Sequence, residues 1–233
     1  MNDEKQISFD DYVETYKKEV QDSINFIGQD VDFFIELKAD LIIKLAEKNF
    51  GNLDGIKVLD IGSGIGLLDF FLKDKIKNLR GVDVSAGAVE NAGKKNPGVS
   101  YTTYDGGRLP YDDRTFDFCF AVNVMHHVLP EMWKNFSNEM HRVLKKGGIT
   151  AVFEHNPLNP LTRLAVAKCE FDRDAVLLSH KKIKSLLSQA GFTLGEDAYI
   201  IFFPFKSKFF RSAESLLKWL PLGAQQFVSG RKT

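Results

Sequence analysis

The stretch Val58–Gly66, "VLDIGSGIG", sets three glycines within five residues directly after an apolar run. A chain gives up side chains at the edge of its core where backbone must turn tightly or come close to a ligand. The spacing is G-x-G-x-G, whereas dinucleotide sites use G-x-G-x-x-G. Asp60 stands just ahead of the glycines, where a carboxylate repels a pyrophosphate and favours a cationic ligand. Gly62 and Gly64 are read as admitting the ligand to the backbone, and Gly66 as letting the next helix pack close to the strand.

Outward from this turn, strands and helices alternate. "KVLDI", "LRGVDV", "VSYTTY", "FDFCFAV" and "ITAVFEH" read as strands. "LLDFFLKDKI", "AGAVENAGKK" and a segment from about Pro130 to Lys146 read as the helices between them. That alternation predicts a parallel sheet covered on both faces, and right-handed crossovers make it doubly wound. Before Gly55 the pattern is helical. Ser8 and Asp11 have capping-box spacing, Phe9, Tyr12, Val13, Tyr16, Val20 and Ile24 recur at helical intervals, and a second helix runs from about Asp32 to Phe50. The expected organisation is one domain: a helical extension over 1–54, a ligand-binding core over 55–155, and acceptor-side segments with the last strands over 156–233.

Ligands of open parallel sheets bind beyond the carboxyl ends of the strands, near the switch in strand order. Four consecutive strand ends carry glycine or polar residues there. Asp83 follows Asp60 by roughly 20 residues, the distance at which an acid accepts ribose hydroxyls. Asp105 ends the third strand, where a carboxylate can accept an adenine amine, and "NVMHHV" follows the fourth. Each acid alone reads equally as a helix cap or turn residue. Together they point to a nucleoside.

Composition narrows the partners. Thirty-one basic residues balance thirty-one acidic ones, so no global field draws nucleic acid. Cys119 and Cys169 make neither a disulfide framework nor a metal-ligand cluster, and no metal is expected. The polar start "MNDEKQISFDDY" has no signal-peptide pattern and no apolar run reaches membrane-spanning length, so a cytoplasmic location is expected.

"VLDIGSGIG", "GVDVS", "YDGGRLPYDDRTFDFCFAVNVMHHV" and "RVLKKGG" resemble, in order and spacing, the motifs of class I S-adenosylmethionine-dependent methyltransferases, in the small-molecule (type 11-like) branch. The resemblance implies a Rossmann-like, seven-stranded, mostly parallel sheet with a reversed last strand, supplied by "AQQFVSGRK". It implies S-adenosyl-L-methionine as cofactor: Gly62, Ser63 and Gly64 around its methionine and sugar, Asp83 on the ribose, and Val84 on the adenine face. Asp105 and Gly106 would meet the adenine edge, and backbone near Asn123 the ammonium. Lys146 replaces the commoner proline of the Lys-Pro-Gly-Gly turn, at a place distant from the chemistry. An NAD-dependent oxidoreductase and a non-catalytic cofactor-binding module stand as alternatives.

Methyl transfer rests on an in-line nucleophile, with a base only where the attacking atom loses a proton. His127, at a position where the resembling family often has histidine, and His155 in "FEHNPLNP" are the candidate bases or acceptor-orienting groups. "NVMH" departs from the Asn-Pro-Pro-Tyr-type motif of adenine and protein-amide methylases, and Cys119 lies within an apolar strand, so a small-molecule or lipid-linked acceptor is expected. Tyr12, Tyr16 and the N-terminal helices would form a lid. The segment after His155 would form the acceptor wall, its prolines excluding a regular helix at its start. "FKSKFFRSAESLLKWLPL", 205–222, is basic and amphipathic, with Lys206, Lys208, Arg211 and Lys218 against Glu214. It reads as a helix docked on the domain or a homodimer partner, or as a peripheral membrane contact.

Overall fold

The computed structural model describes residues 15–205, 207, 210, 214 and 216–233. The predicted cap at Ser8 and the lid residue Tyr12 lie outside the described residues, as do Lys206, Lys208 and Arg211 of the basic segment.

Two helices precede the sheet: α1, Tyr16–Ile24, and α2, Val31–Phe50. Gly28 ends the short turn between them at φ +72°, a conformation that suits glycine. Then come β1 (Lys57–Ile61), α3 (Leu67–Leu72), β2 (Asn78–Asp83), α4 (Ala86–Lys95), β3 (Ser100–Thr103) and β4 (Phe116–Val122). After them follow α5 (Trp133–Val143), β5 (Leu144–His155), α6 (Pro160–Lys168), α7 (His180–Gln189), β6 (Phe192–Ile200) and β7 (Gln225–Lys232).

The seven strands lie in the order β3-β2-β1-β4-β5-β7-β6. The first five pair in parallel, and β7 runs antiparallel to both β5 and β6. The reversed last strand and the doubly wound α/β sheet agree with the sequence reading. Strand order switches between β1 and β4, which opens a crevice beyond their carboxyl ends.

Period-two alternation divides the core. Val58, Phe118, Phe120, Ile149, Ala151 and Phe153 pack on one face with α2 and α3. Leu59, Ile61, Cys119, Ala121 and Val152 pack on the other with α5 and α7. Because both faces are covered, the strands read as continuous apolar runs. Asp60, on the first face between Val58 and the glycine turn, is the exception that marks the crevice.

The start of the proline-containing segment, 156–159, is not helical, as expected; α6 begins at Pro160, which occupies its first turn, where its missing N–H costs nothing. The Asn159 side chain accepts from Thr162 N and caps it. No helix of the described residues is long and apolar enough to cross a membrane.

Candidate active site

The glycine turn is positioned by β2. Gly62 N and Ser63 N both donate to Val82 O, at 2.8 and 3.0 Å. Gly62, Gly64 and Gly66 all have positive φ, so the turn needs glycine at each for conformation alone. Their surroundings differ. A side chain on Gly62 would run into Val124, with the nearest atom 2.4 Å from the added carbon, so packing also requires glycine there. Gly66 is closed in by Asn96, Tyr101 and Ala92, as expected for a packing glycine. Gly64 alone has nothing within 4 Å of its missing side chain.

That opening leads into a cavity of about 480 Å³, within the range of small-ligand sites. Ten of the sequence-predicted residues line it: Asp60, Gly62, Ser63, Gly64, Asp83, Val84, Asp105, Gly106, Asn123 and His127. Gly66 and His155 are not among its lining residues.

Asp83 couples the second strand to the turn. Its Oδ2 accepts from Gly64 N at 2.7 Å and its Oδ1 from Ser85 N at 3.0 Å, while the Ser85 hydroxyl caps α4. Asp105 folds its own turn by accepting from Gly107 N and Arg108 N, and these bonds lower its pKa. Asn123 sits at φ +56°, a region asparagine tolerates better than most residues, and its N–H donates to Phe153 O. Two buried polar atoms on this wall, Ser63 Oγ and Asn123 Oδ1, make no hydrogen bond.

Asp60 departs from the expectation of a charged carboxylate. Burial first, and then Asp69 and Asp83 beside it, push its pKa well above the ordinary value, which favours its protonated form. Asp69 is itself raised to about 6 by burial, and accepts from Tyr101 Oη at 2.8 Å. A cation beside Asp60 lowers its pKa again, so the preference for a cationic ligand persists as a proton-linked one.

His127 on the cavity wall belongs to a buried charged cluster. His126 Nδ1 meets Glu154 Oε2 at 2.6 Å, and Glu154 Oε1 accepts from Met125 N at 2.7 Å. Asp172 Oδ1 lies 3.5 Å from His126 Nε2 and 3.3 Å from His127 Nε2. Burial opposes charge on His126, but Glu154 and Asp172 outweigh it and push its pKa up to about 10. Asp172 is held well below the usual carboxylate range by the two imidazoles, despite its burial. His127 moves the other way: burial and the His126 charge lower its pKa, so it is neutral at pH 7. The ring of His155 lies beside that of His126, centroids 5.1 Å apart, and burial followed by the His126 charge brings its pKa down to about 4.

Aromatic rings close the top. Phe171 stands edge-on to Tyr16 of α1 and to His127, both at 4.9 Å. Asp172, Phe171 and Lys38 are residues that sequence reading did not single out. Lys38 did leave a signal: a cation in the buried helical stripe of Val31, Ile35, Ile42 and Leu45. Asp172 lies in a polar stretch and left none.

A doubly wound sheet with a nucleoside-sized cavity at its switch point, lined by glycine and acids from successive strand ends, defines a Rossmann-like cofactor-binding protein. Residues 59–152 match the family described as "Methyltransferase domain". An uncharacterized methyltransferase of Synechocystis is 32% identical over 155 residues, covering 65% of this chain and 73% of that one. A demethylmenaquinone methyltransferase of Beutenbergia cavernae is 29% identical over 116 residues, about half of each chain (49% and 48%). In fold, a methyltransferase of Thermotoga maritima superposes with a TM-score of 0.69 at 23% identity, covering 97% of this chain and 98% of that one. The chain belongs to the class I S-adenosylmethionine-dependent methyltransferases. It is an enzyme of that class, not a nicotinamide-dependent oxidoreductase, and S-adenosyl-L-methionine is its cofactor. The cavity fits that molecule: Gly64 leaves backbone open to it, and Ser63 Oγ and Asn123 Oδ1 are buried without partners.

Proposed function

We propose that this enzyme methylates a small-molecule acceptor whose attacking atom loses a proton, with His127 as the base and Asp172 as the group that orients it. The observation that carries the reading is the neutral imidazole of His127 on the cavity wall, 3.3 Å from a carboxylate fixed in its charged form. Bound S-adenosyl-L-methionine supplies an electrophilic methyl group on a sulfonium. Asp83 would hold the ribose, Val84 the adenine face, Asp105 and Gly106 its edge, Gly62 to Gly64 the sugar and methionine part, and Asn123 backbone the ammonium. The residues before Gly55 act as the lid through Tyr16, and the chain from 156 onward forms the acceptor wall through Phe171 and Asp172. Ring contacts there exclude water, which strengthens every charge interaction within. A hydroquinone, a phenol, an amine and a short-chain lipid, each assayed for release of S-adenosylhomocysteine, make the first test. Turnover of an ionisable acceptor, lost in His127→Ala, is expected; a rate unchanged by that substitution overturns the base assignment.

A second reading, that the acceptor is lipid-linked, is favoured by an exposed apolar patch. Leu158, Leu161, Trp219 and Leu222 are between 55% and 75% exposed. Asn156 and Asn159 tie the first of them to the last by donating to Pro221 O and Leu222 O. Contiguous exposed apolar surface marks a contact site. Two relatives are named for lipid-like compounds, the demethylmenaquinone enzyme and a sterol 24-C-methyltransferase of Gibberella zeae. Sedimentation with anionic vesicles at low salt tests the membrane contact; protein that stays in the supernatant leaves a docked or dimeric surface. We place the reaction in the cytoplasm, in keeping with two buried cysteines that form no disulfide.

A further inference from the structure

Among the described residues that line the cavity, Lys38 is the one lysine or arginine. It projects from the apolar stripe of α2 and is 5% exposed. Among the described residues it has neither an ion pair nor a hydrogen bond. The charge that acts on it most is Glu154, whose oxygens already accept from His126, Met125 and Val124. A lysine with a reachable surface extends its ammonium to water. One held inside without a partner is unfavourable, and burial here brings its pKa down to about 8, which leaves it mainly charged at pH 7.

Besides apolar side chains and glycines, the wall carries carboxyl groups from Asp60, Asp83 and Asp105. A ligand complementary to this arrangement carries cationic groups toward the acids and one anionic group toward Lys38. We infer that Lys38 is a carboxylate receptor, which completes its ammonium's hydrogen bonding only when an anionic ligand group enters the cavity. The inference rests on the cofactor reading above, and the carboxylate has two sources, the methionine part of the cofactor or an acidic acceptor. The cofactor's own charges, a sulfonium and an ammonium with a single carboxylate, match the wall as it stands.

The test is calorimetry on wild type and Lys38→Met, with S-adenosylhomocysteine and with its decarboxylated analogue S-adenosyl-3-thiopropylamine. Loss of a charge-assisted bond should weaken S-adenosylhomocysteine by about tenfold or more, and leave the analogue within about twofold. The ligand-free variant should melt no lower than wild type, since an unpaired buried charge has gone; Lys38→Gln is the second variant if it does not fold. An acceptor source gives a different pattern: unchanged S-adenosylhomocysteine binding, with benzoate titrated into the loaded protein binding wild type and not the variant. Equal weakening of both cofactor analogues, or no change with either one or with benzoate, overturns the inference alone. Wild type that binds no S-adenosylhomocysteine overturns the cofactor reading and this inference with it.

Discussion

On one side of the cavity, the carboxyl ends of β1, β2 and β3 offer backbone and short acids, each within a few residues of a strand. Elsewhere His127 lines the cavity, backed by His126, Glu154 and Asp172, and these four come from three separate parts of the chain and hold one another by charge. The first wall is set by conformation: three positive-φ glycines and an aspartate that accepts Gly64 N–H. The second is set by electrostatics, where four neighbours divide their protons so that His126 is charged and His127 is not. A wall made of backbone suits a constant ligand, the cofactor. A wall made of tunable side chains suits the variable one, the acceptor.

If the two walls are separable, the largest effect should be a rate effect confined to the acceptor side. His127→Ala should lower kcat by about two to four decades when the acceptor must be deprotonated. Asp172→Asn, which orients rather than reacts, should cost less and should move the pH profile. With His127 below its ordinary 6.5, wild-type kcat stays flat above pH 7 and falls in acid. Asp172→Asn removes a carboxylate that raises the His127 pKa, so its fall should come at lower pH. A profile that does not move would detach Asp172 from the base.

The glycines sharpen the comparison within the cofactor wall. The Cβ of Gly64→Val has no protein atom within 4 Å, so the substitution should abolish S-adenosylhomocysteine binding with little loss of thermal stability beyond the strain of positive φ. Gly62→Ala forces a carbon against Val124 and should cost about 1–3 kcal/mol of stability. Denaturant unfolding beside calorimetry distinguishes them, and equal stability losses would contradict the division into ligand-facing and packing glycines.

The smallest expected effect is on stability against pH. His126 rises from 6.5 to about 10 on folding, so its contribution is full below pH 6.5 and is lost as pH climbs through 10. The melting-point gap between wild type and His126→Asn should therefore narrow over that window. A constant gap would mean that the imidazole is neutral in the fold.

The same contrast explains what could be read from residues. Period-two apolar runs and the glycine turn are local signals, so β1, β2, the sheet class and most of the residues that meet at the cavity were legible. Helix ends were less so: α5 stops at Val143 because β5 already begins at Leu144, ahead of the double glycine. The prolines marked where helix could not start, and α6 begins only at Pro160, where the first turn accepts it. His155 was legible from its place at a strand end, and the structure sets its ring beside that of His126. Asp172 was invisible because its role depends on a distance of 3.3 Å to a residue far away in sequence. Lys38 was visible as a charge among leucines and isoleucines, and only the cavity gives it meaning.

The most direct measurement is a calorimetric titration of S-adenosylhomocysteine into wild type, Asp83→Ala and His127→Ala side by side. An ionised acceptor to ribose hydroxyls contributes roughly 1.5–3 kcal/mol, or about one to two decades of affinity, so Asp83→Ala should weaken binding at least that much. It should also melt lower, since Gly64 N and Ser85 N lose their acceptor. His127→Ala should bind within about threefold of wild type. Normal binding by Asp83→Ala, or a loss in His127→Ala that matches it, would contradict a cavity divided between a cofactor wall and an acceptor wall.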